Sequence, residues 1–183
     1  MTPLPAALVA LTLAVALPAG WFDLRARRIP NWLVLAGLSA ALAGRFAMLG
    51  VDGLWAGVNG FGLALAIYFP LFALRAMGAG DAKLMAALGA ALGAANWLVL
   101  FFVTAFAGAA VAIVVVLAKG RLGQTLRNVG FILGELARLR APHVSREELS
   151  AGHEKSISLP HGAAIAGSAV LTVAAMWLVG AVR

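Results

Sequence analysis

Cysteine does not occur in these 183 residues, which removes a disulfide framework, a thiolate nucleophile and a Cys-ligated zinc from consideration. Charge is almost as scarce: 11% of the residues are Asp, Glu, Lys or Arg, and only seven are acidic. With 63% apolar residues and a mean hydropathy of +0.97, the composition excludes an ordinary soluble domain and points to an integral membrane protein. The net charge of +7 does not indicate a nucleic-acid partner, because the basic residues fall between apolar spans instead of sharing one solvated face. His143, His153 and His161 are too scattered for a metal site, with no pair at helical i, i+4 spacing. No metal or cofactor is expected.

A hydrocarbon core of about 30 Å takes roughly 20 helical residues, so length marks spans at residues 4–22, 31–49, 54–74 and 161–181. The apolar run 82–118 would be about 55 Å long as one helix. It must be interrupted, at GAAN (Gly93 to Asn96), giving spans 82–95 and 97–118. The expected fold is all-α: a single polytopic membrane domain over residues 1–183 with about six transmembrane helices. The fourth span is short, about 20 Å, so its amino end is expected below the membrane surface.

Twelve of the 14 basic residues lie in alternate connections: Arg25, Arg27 and Arg28; Arg75 and Lys83; and seven between Lys119 and Lys155. Arg45 and Arg183 are the exceptions. By the positive-inside rule these connections are cytoplasmic and both termini are outside. The first span ends with signal-like small residues, ALPAG (16–20), but no Lys or Arg precedes it, so it is expected to remain as a span.

Five of the acids are expected in solvent: Asp52 in the outer turn GVDGLW, and Glu135, Glu147, Glu148 and Glu154 in the long inner segment 119–160. Asp23, at the inner end of span one, and Asp81, at the inner start of span four, remain. Carboxylates at a membrane edge are costly and by default functional. Each also has a structural explanation: Asp81 as a helix N-cap, Asp23 as an acid neutralised by Arg25, Arg27 and Arg28. A pair of carboxylates on one membrane face has a further use. Two like charges held close cannot both ionise easily, so they share a proton, and such a dyad hydrolyses peptide bonds by activating a water. In the stretch GAGD (78–81), Gly78 and Gly80 are expected to adopt φ > 0 and to let an extended substrate approach closely.

FDLRARRIPNWLV (22–34), followed by GAGDAKLMAALG (78–89) and by SLPHGAAIAG (158–167), resembles the type IV prepilin peptidase family of GxGD aspartic peptidases. The third stretch is similar to that family's Pro-x-Gly-x-Ala segment. Within the family the likeness is to the short form associated with Flp or Tad pilus assembly. The resemblance implies a bacterial inner-membrane enzyme that cuts the leader of prepilins or pseudopilins after a glycine at the cytoplasmic face, with Asp23 and Asp81 as the catalytic pair. Long members also carry an amino-terminal cytoplasmic domain, often with paired CxxC motifs, and methylate the new amino terminus with S-adenosylmethionine. Span one begins at once here and cysteine is absent, so peptidase without methyltransferase is expected.

Supporting roles follow from position. Pro30 and Asn31 are expected to start span two, Pro by fixing φ and Asn by capping. Lys83 either holds the Asp81 charge or anchors the helix among lipid headgroups. TLRNVGFILGELARLR (125–140) has apolar residues at helical spacing and reads as an amphipathic helix in the lipid interface. SREE (145–148) reads as a capping box. Gly53 with Gly57, and Gly89 with Gly93, offer close helix approach, which would bring span one against span four. They do not decide the oligomeric state. Two other classes stay open: a transporter or proton pathway, since paired acids also carry ions, and a non-catalytic component of a pilus or secretion machine. Presenilin-like proteases share GxGD but pair it with Tyr-Asp and Pro-Ala-Leu elements that this chain lacks.

Overall fold

The computed structural model describes residues 1–75, 77–120, 122–137 and 160–182. The expectations for Arg138, Arg140, His143, the 145–148 capping box, His153, Glu154 and Lys155 lie outside them. The described chain is helical: α1 (Ala6–Ala26), α2 (Asn31–Ala73), α3 (Ala79–Ala118), α4 (Leu122–Ala137) and α5 (His161–Leu178). Among the described residues, α1, α2, α3 and α5 are long and apolar enough to cross a membrane.

As straight rods, α2 and α3 would exceed 60 Å or about that length, twice what a bilayer core accommodates. Each is broken once by a glycine in the left-handed φ region, Gly50 (φ 65°, ψ −154°) in α2 and Gly93 (φ 75°, ψ 164°) in α3. Only glycine takes such angles without a Cβ penalty. Both breaks reverse the chain. A Cβ on Gly57 would lie 3.2 Å from Leu42 Cδ2, although a straight helix would separate those residues by about 22 Å. In α3 the Trp97 indole N–H donates to the Met85 carbonyl at 3.0 Å across 12 residues. Each long helix is therefore a helical hairpin, with its turn inside the segments GVDGLW and GAAN.

The two hairpins pack most extensively on each other, and glycines set the distance. Gly60 and Gly89 meet backbone to backbone, with no room for a side chain at either. Gly89 thus serves the α2–α3 contact, where its neighbours are Gly60 and Ala64 of α2. The helix α1 packs chiefly on α5, where a Cβ on Gly20 would lie 2.6 Å from the Ala166 Cβ. Lipid tails are as apolar as the helices, so dispersion packing at such small residues holds the bundle together. Two of the buried hydroxyls are satisfied one turn back: Thr12 donates to the Leu8 carbonyl at 2.9 Å and Thr172 to that of Ser168 at 2.8 Å.

The Gly50 and Gly93 turns lie at the end of the bundle that also holds both chain ends. Thr2 N–H donates to Asn96 Oδ1 (2.8 Å), Asn96 Nδ2 returns a bond to the Thr2 carbonyl (3.0 Å) and Leu4 N–H donates to the Ala181 carbonyl (2.9 Å). The opposite end therefore collects the end of α1 and the starts of α2, α3 and α5. The helix α4 places Leu126 and Val129 on an exposed side. Glu135, expected in solvent, is buried and has an interaction of its own.

Candidate active site

Four helix ends build the site, and each is shaped by local sequence. The last turn of α1 closes where Arg27 takes the left-handed conformation (φ 51°) and its N–H bonds the Asp23 carbonyl at 3.0 Å. This leaves the Asp23 side chain facing inward, 8% exposed. Its neighbours come from the start of α5. A Cβ on Gly162 would lie 2.9 Å from Asp23 Cβ and 3.1 Å from both Cγ and Oδ2, so any larger residue would displace the carboxylate. Ala163 N–H, free at a helix start, points to Asp23 Oδ2 at 3.4 Å. Within the Pro-x-Gly-x-Ala stretch, Pro160 is the N-cap of the helix, Gly162 admits Asp23, and Ala163, at the second variable position, donates to it.

Asp81 stands in the first turn of α3, half-buried. The N-cap of α3 is Gly78 (φ −72°, ψ 145°), with no side-chain cap hydrogen bond, so Asp81 is not the cap that its position in the sequence suggested. Its side chain folds back over Gly78, where a Cβ would lie 3.3 Å from Asp81 Oδ2. Neither Gly78 nor Gly80 has positive φ; among the described residues the left-handed glycines are Gly50, Gly93, Gly120 and Gly180. The two glycines of GAGD serve close approach instead: Gly78 to Asp81, and Gly80 to Ile29 of the α1–α2 connection, 3.4 Å from a Cβ placed there. That second contact draws the start of α3 toward the end of α1. Asp23 and Asp81, 58 residues apart in sequence, lie within each other's electrostatic reach.

The predicted supporting residues take different partners from those expected. Pro30 is the N-cap of α2 (φ −63°, ψ 131°) and Asn31 is the first helical residue, without a capping bond. Asn31 Oδ1 instead accepts from Lys83 Nζ at 3.1 Å, tying the starts of α2 and α3 together at the surface. Lys83 is thus bonded to Asn31 and not to either aspartate. Arg25 lies over the Trp21 ring, 4.6 Å from its centroid.

Two further side chains lie near the pair. Tyr68, the only tyrosine, is buried on α2 within the electrostatic reach of Asp81. It is held edge-on by Trp97 and Phe101, at centroid distances of 6.1 and 6.0 Å. A lone tyrosine in an apolar span was the available signal. His161 opens α5 within reach of the Asp23 charge; its signal was its place inside the third motif. On the same end, a groove of about 320 Å³ runs between α2 and α3, lined by Leu38, Phe61 and Leu65 with the exposed Asn31 and Lys83. A larger cavity of about 530 Å³ lies at the other end, around Arg45, Asp52 and Gly93. Neither aspartate of the pair lines either one. Among the described residues no group of three His, Asp or Glu side chains could hold a metal ion.

The model of the type IV leader peptidase family matches residues 9–113, a stretch that contains Asp23 and Asp81 and stops before α4. The prepilin leader peptidase/N-methyltransferase of Neisseria gonorrhoeae is 42% identical over 106 residues, 55% of this chain and 37% of that protein. The chain therefore matches well under half the length of this curated relative. No solved structure matches. With more than half of its residues matched by the family model, the chain belongs to the type IV leader peptidase family.

Proposed function

We propose that this member of the type IV leader peptidase family is a membrane aspartic endopeptidase that removes the leader of type IV prepilins or pseudopilins, with Asp23 and Asp81 as its catalytic pair. The observation that carries the reading is the convergence of two carboxylates from distant parts of the chain at one end of the bundle, each against a motif glycine, Gly162 for Asp23 and Gly78 for Asp81. Two such groups share one proton. The ionised carboxylate takes a proton from a water whose oxygen attacks the scissile carbonyl carbon, while the protonated one donates to the carbonyl oxygen. Collapse of the tetrahedral species breaks the C–N bond. The leaving amine takes up a proton, and the pair again shares one.

The membrane arrangement belongs to the same proposal. The α2 and α3 hairpins each cross twice and α1 and α5 once, giving six spans in the inner membrane. The Asp23–Asp81 end, which carries Arg25, Arg27, Arg28, Arg75 and Lys83, faces the cytoplasm by the positive-inside rule. The termini are outside, and α4 lies in the lipid interface with its apolar side in the acyl region. A proton-pathway reading has less support, because Asp23 and Asp81 stand together at one end of the bundle, at the end of α1 and the start of α3. The test is leader cleavage by the purified chain in proteoliposomes: wild type converts prepilin to its mature length, and Asp23→Asn and Asp81→Asn each leave it uncut. Conversion by either variant at the wild-type rate contradicts the proposal.

A further inference from the structure

The cavity of about 530 Å³ at the end away from the aspartate pair has Arg45 in its wall. Burying a guanidinium is costly unless its charge is answered, and Arg45 is 3% exposed. The protein answers part of that charge: Nε donates to the Ala90 and Ala91 carbonyls and Nη1 to that of Gly53. Nη2 makes no hydrogen bond, and among the described residues Arg45 forms no ion pair with a carboxylate. That nitrogen stands beside Gly93, 2.7 Å from where a Cβ there would lie, and Gly93 lines the same cavity. Both hairpin turns add to the positive potential. The helices that restart after Gly50 and Gly93 bring their first turns to the cavity, one through Asp52 and Gly53 and the other through Ala94 and Ala95. First-turn N–H groups lack intrahelical acceptors and favour an anion.

The same cavity carries one acid, Asp52, on its exposed rim and not paired with Arg45. A buried cation and a rim carboxylate that do not meet each other complement a ligand bearing an anion and a cation a short distance apart. Much of the remaining wall is apolar, including Pro3, Leu4, Leu49 and Leu92. Trp55, one turn beyond Asp52, is 61% exposed, and an exposed tryptophan at the end of a membrane bundle marks the headgroup level. We infer that this cavity binds a membrane phospholipid whose headgroup carries a phosphate and a primary ammonium, the chemistry of phosphatidylethanolamine. Its phosphate oxygens accept from Arg45 Nη2, and its ammonium donates to the Asp52 carboxylate on the rim. The glycerol and the start of the acyl chains lie on the apolar wall and leave past Leu49, itself 41% exposed. This site is independent of the peptidase reading, since neither aspartate of the pair lines the cavity.

The test is native mass spectrometry of the full-length protein, delipidated in detergent and offered equal amounts of phosphatidylethanolamine and phosphatidylglycerol, which has the phosphate but no ammonium. The wild type is expected to retain one lipid per chain, with phosphatidylethanolamine favoured about tenfold, the worth of one hydrogen bond to a charged group. Asp52→Asn, a change at an exposed position, is expected to bring that preference within about twofold. Ala94→Phe, which fills the cavity from its wall, is expected to lower retention of both lipids about tenfold; should it misfold, Asp52→Asn alone decides. Free phosphoethanolamine at the lipid's concentration is expected to leave the adduct in place. Absence of an adduct on the wild type, equal retention of the two lipids, or an unchanged preference in Asp52→Asn overturns the inference. So does an adduct that survives in folded Ala94→Phe, which would place the lipid elsewhere, or displacement by free phosphoethanolamine, which would identify a soluble ligand.

Discussion

The two ends of the bundle treat buried charge in opposite ways. At the turn end, Arg45 is 3% exposed and spends its guanidinium on the protein. Its Nε donates to the carbonyls of Ala90 (2.8 Å) and Ala91 (3.2 Å), and Nη1 to that of Gly53 (3.4 Å). Ala90 and Ala91 belong to the last turn before the Gly93 break, where carbonyls lose their helical donors and the helix dipole favours a cation. A single arginine therefore caps one hairpin turn and ties it to the other. Gly57 and Gly93 leave room for it: a Cβ on either would come within 2.8 Å or 2.7 Å of Arg45 atoms. At the other end, Asp23 has one long bond from Ala163, Asp81 is folded over a glycine, and the His161 Nε2 is unpaired. Charge that the protein satisfies internally builds the fold, and polar groups left underused are available for chemistry.

The sharpest way to break this comparison is to neutralise each end and ask which property changes. Asp23→Asn or Asp81→Asn is expected to lower leader cleavage by about 10²–10⁴-fold while leaving thermal unfolding in detergent within a few degrees of wild type. Arg45→Met should do the reverse. Three carbonyls lose their donor, which is expected to destabilise the fold by about 3 kcal/mol or more, read as a fall in Tm. Any loss of cleavage should follow the loss of folded protein. If Arg45→Met abolishes cleavage in fully folded protein, or Asp81→Asn unfolds the bundle, the contrast between the ends is wrong.

Gly162→Ala sharpens it further, because it adds one methyl where fold and site meet. The new Cβ would press on the Cβ and carboxyl carbon of Asp23, neither of which can swing aside as the tip of a long side chain could. Overpacking of this kind costs about 1–3 kcal/mol. The expected result is a Tm a few degrees lower and cleavage reduced about tenfold or more in the protein that remains folded. Wild-type cleavage by Gly162→Ala would show that the Asp23 carboxyl need not sit where it does.

The features legible from sequence were those that follow from length, charge and spacing. A predominantly apolar run of 37 residues cannot be one span, and the break falls at Gly93, inside GAAN. The other break, at Gly50, opens GVDGLW. Asp23 and Asp81 stood out because carboxylates at a membrane edge are costly. Partners were not legible, since they depend on which helix comes alongside. Asn31 resembled a cap but bonds Lys83. Gly78 and Gly80 suggested left-handed turns but provide close approach at negative φ or within the helix. The spacing of four between Gly89 and Gly93 hid the actual contact, which is between Gly89 and Gly60 on the neighbouring hairpin. Arg45 was noted only as an exception to a topology rule, although an arginine inside an apolar span calls for a partner by the same argument that singled out the aspartates.

Because the chain has no cysteine, the central claim can be measured directly by pairing Asp23→Cys with Asp81→Cys in membranes and treating with a short bismaleimide. Asp23→Cys with Asp52→Cys, at opposite ends of the bundle, serves as the control. The 23–81 pair is expected to join within one chain and the 23–52 pair to stay separate, with each single cysteine reacting with a monofunctional maleimide. If both cysteines of the 23–81 pair react singly but never link, the two acids are not neighbours and the dyad is contradicted.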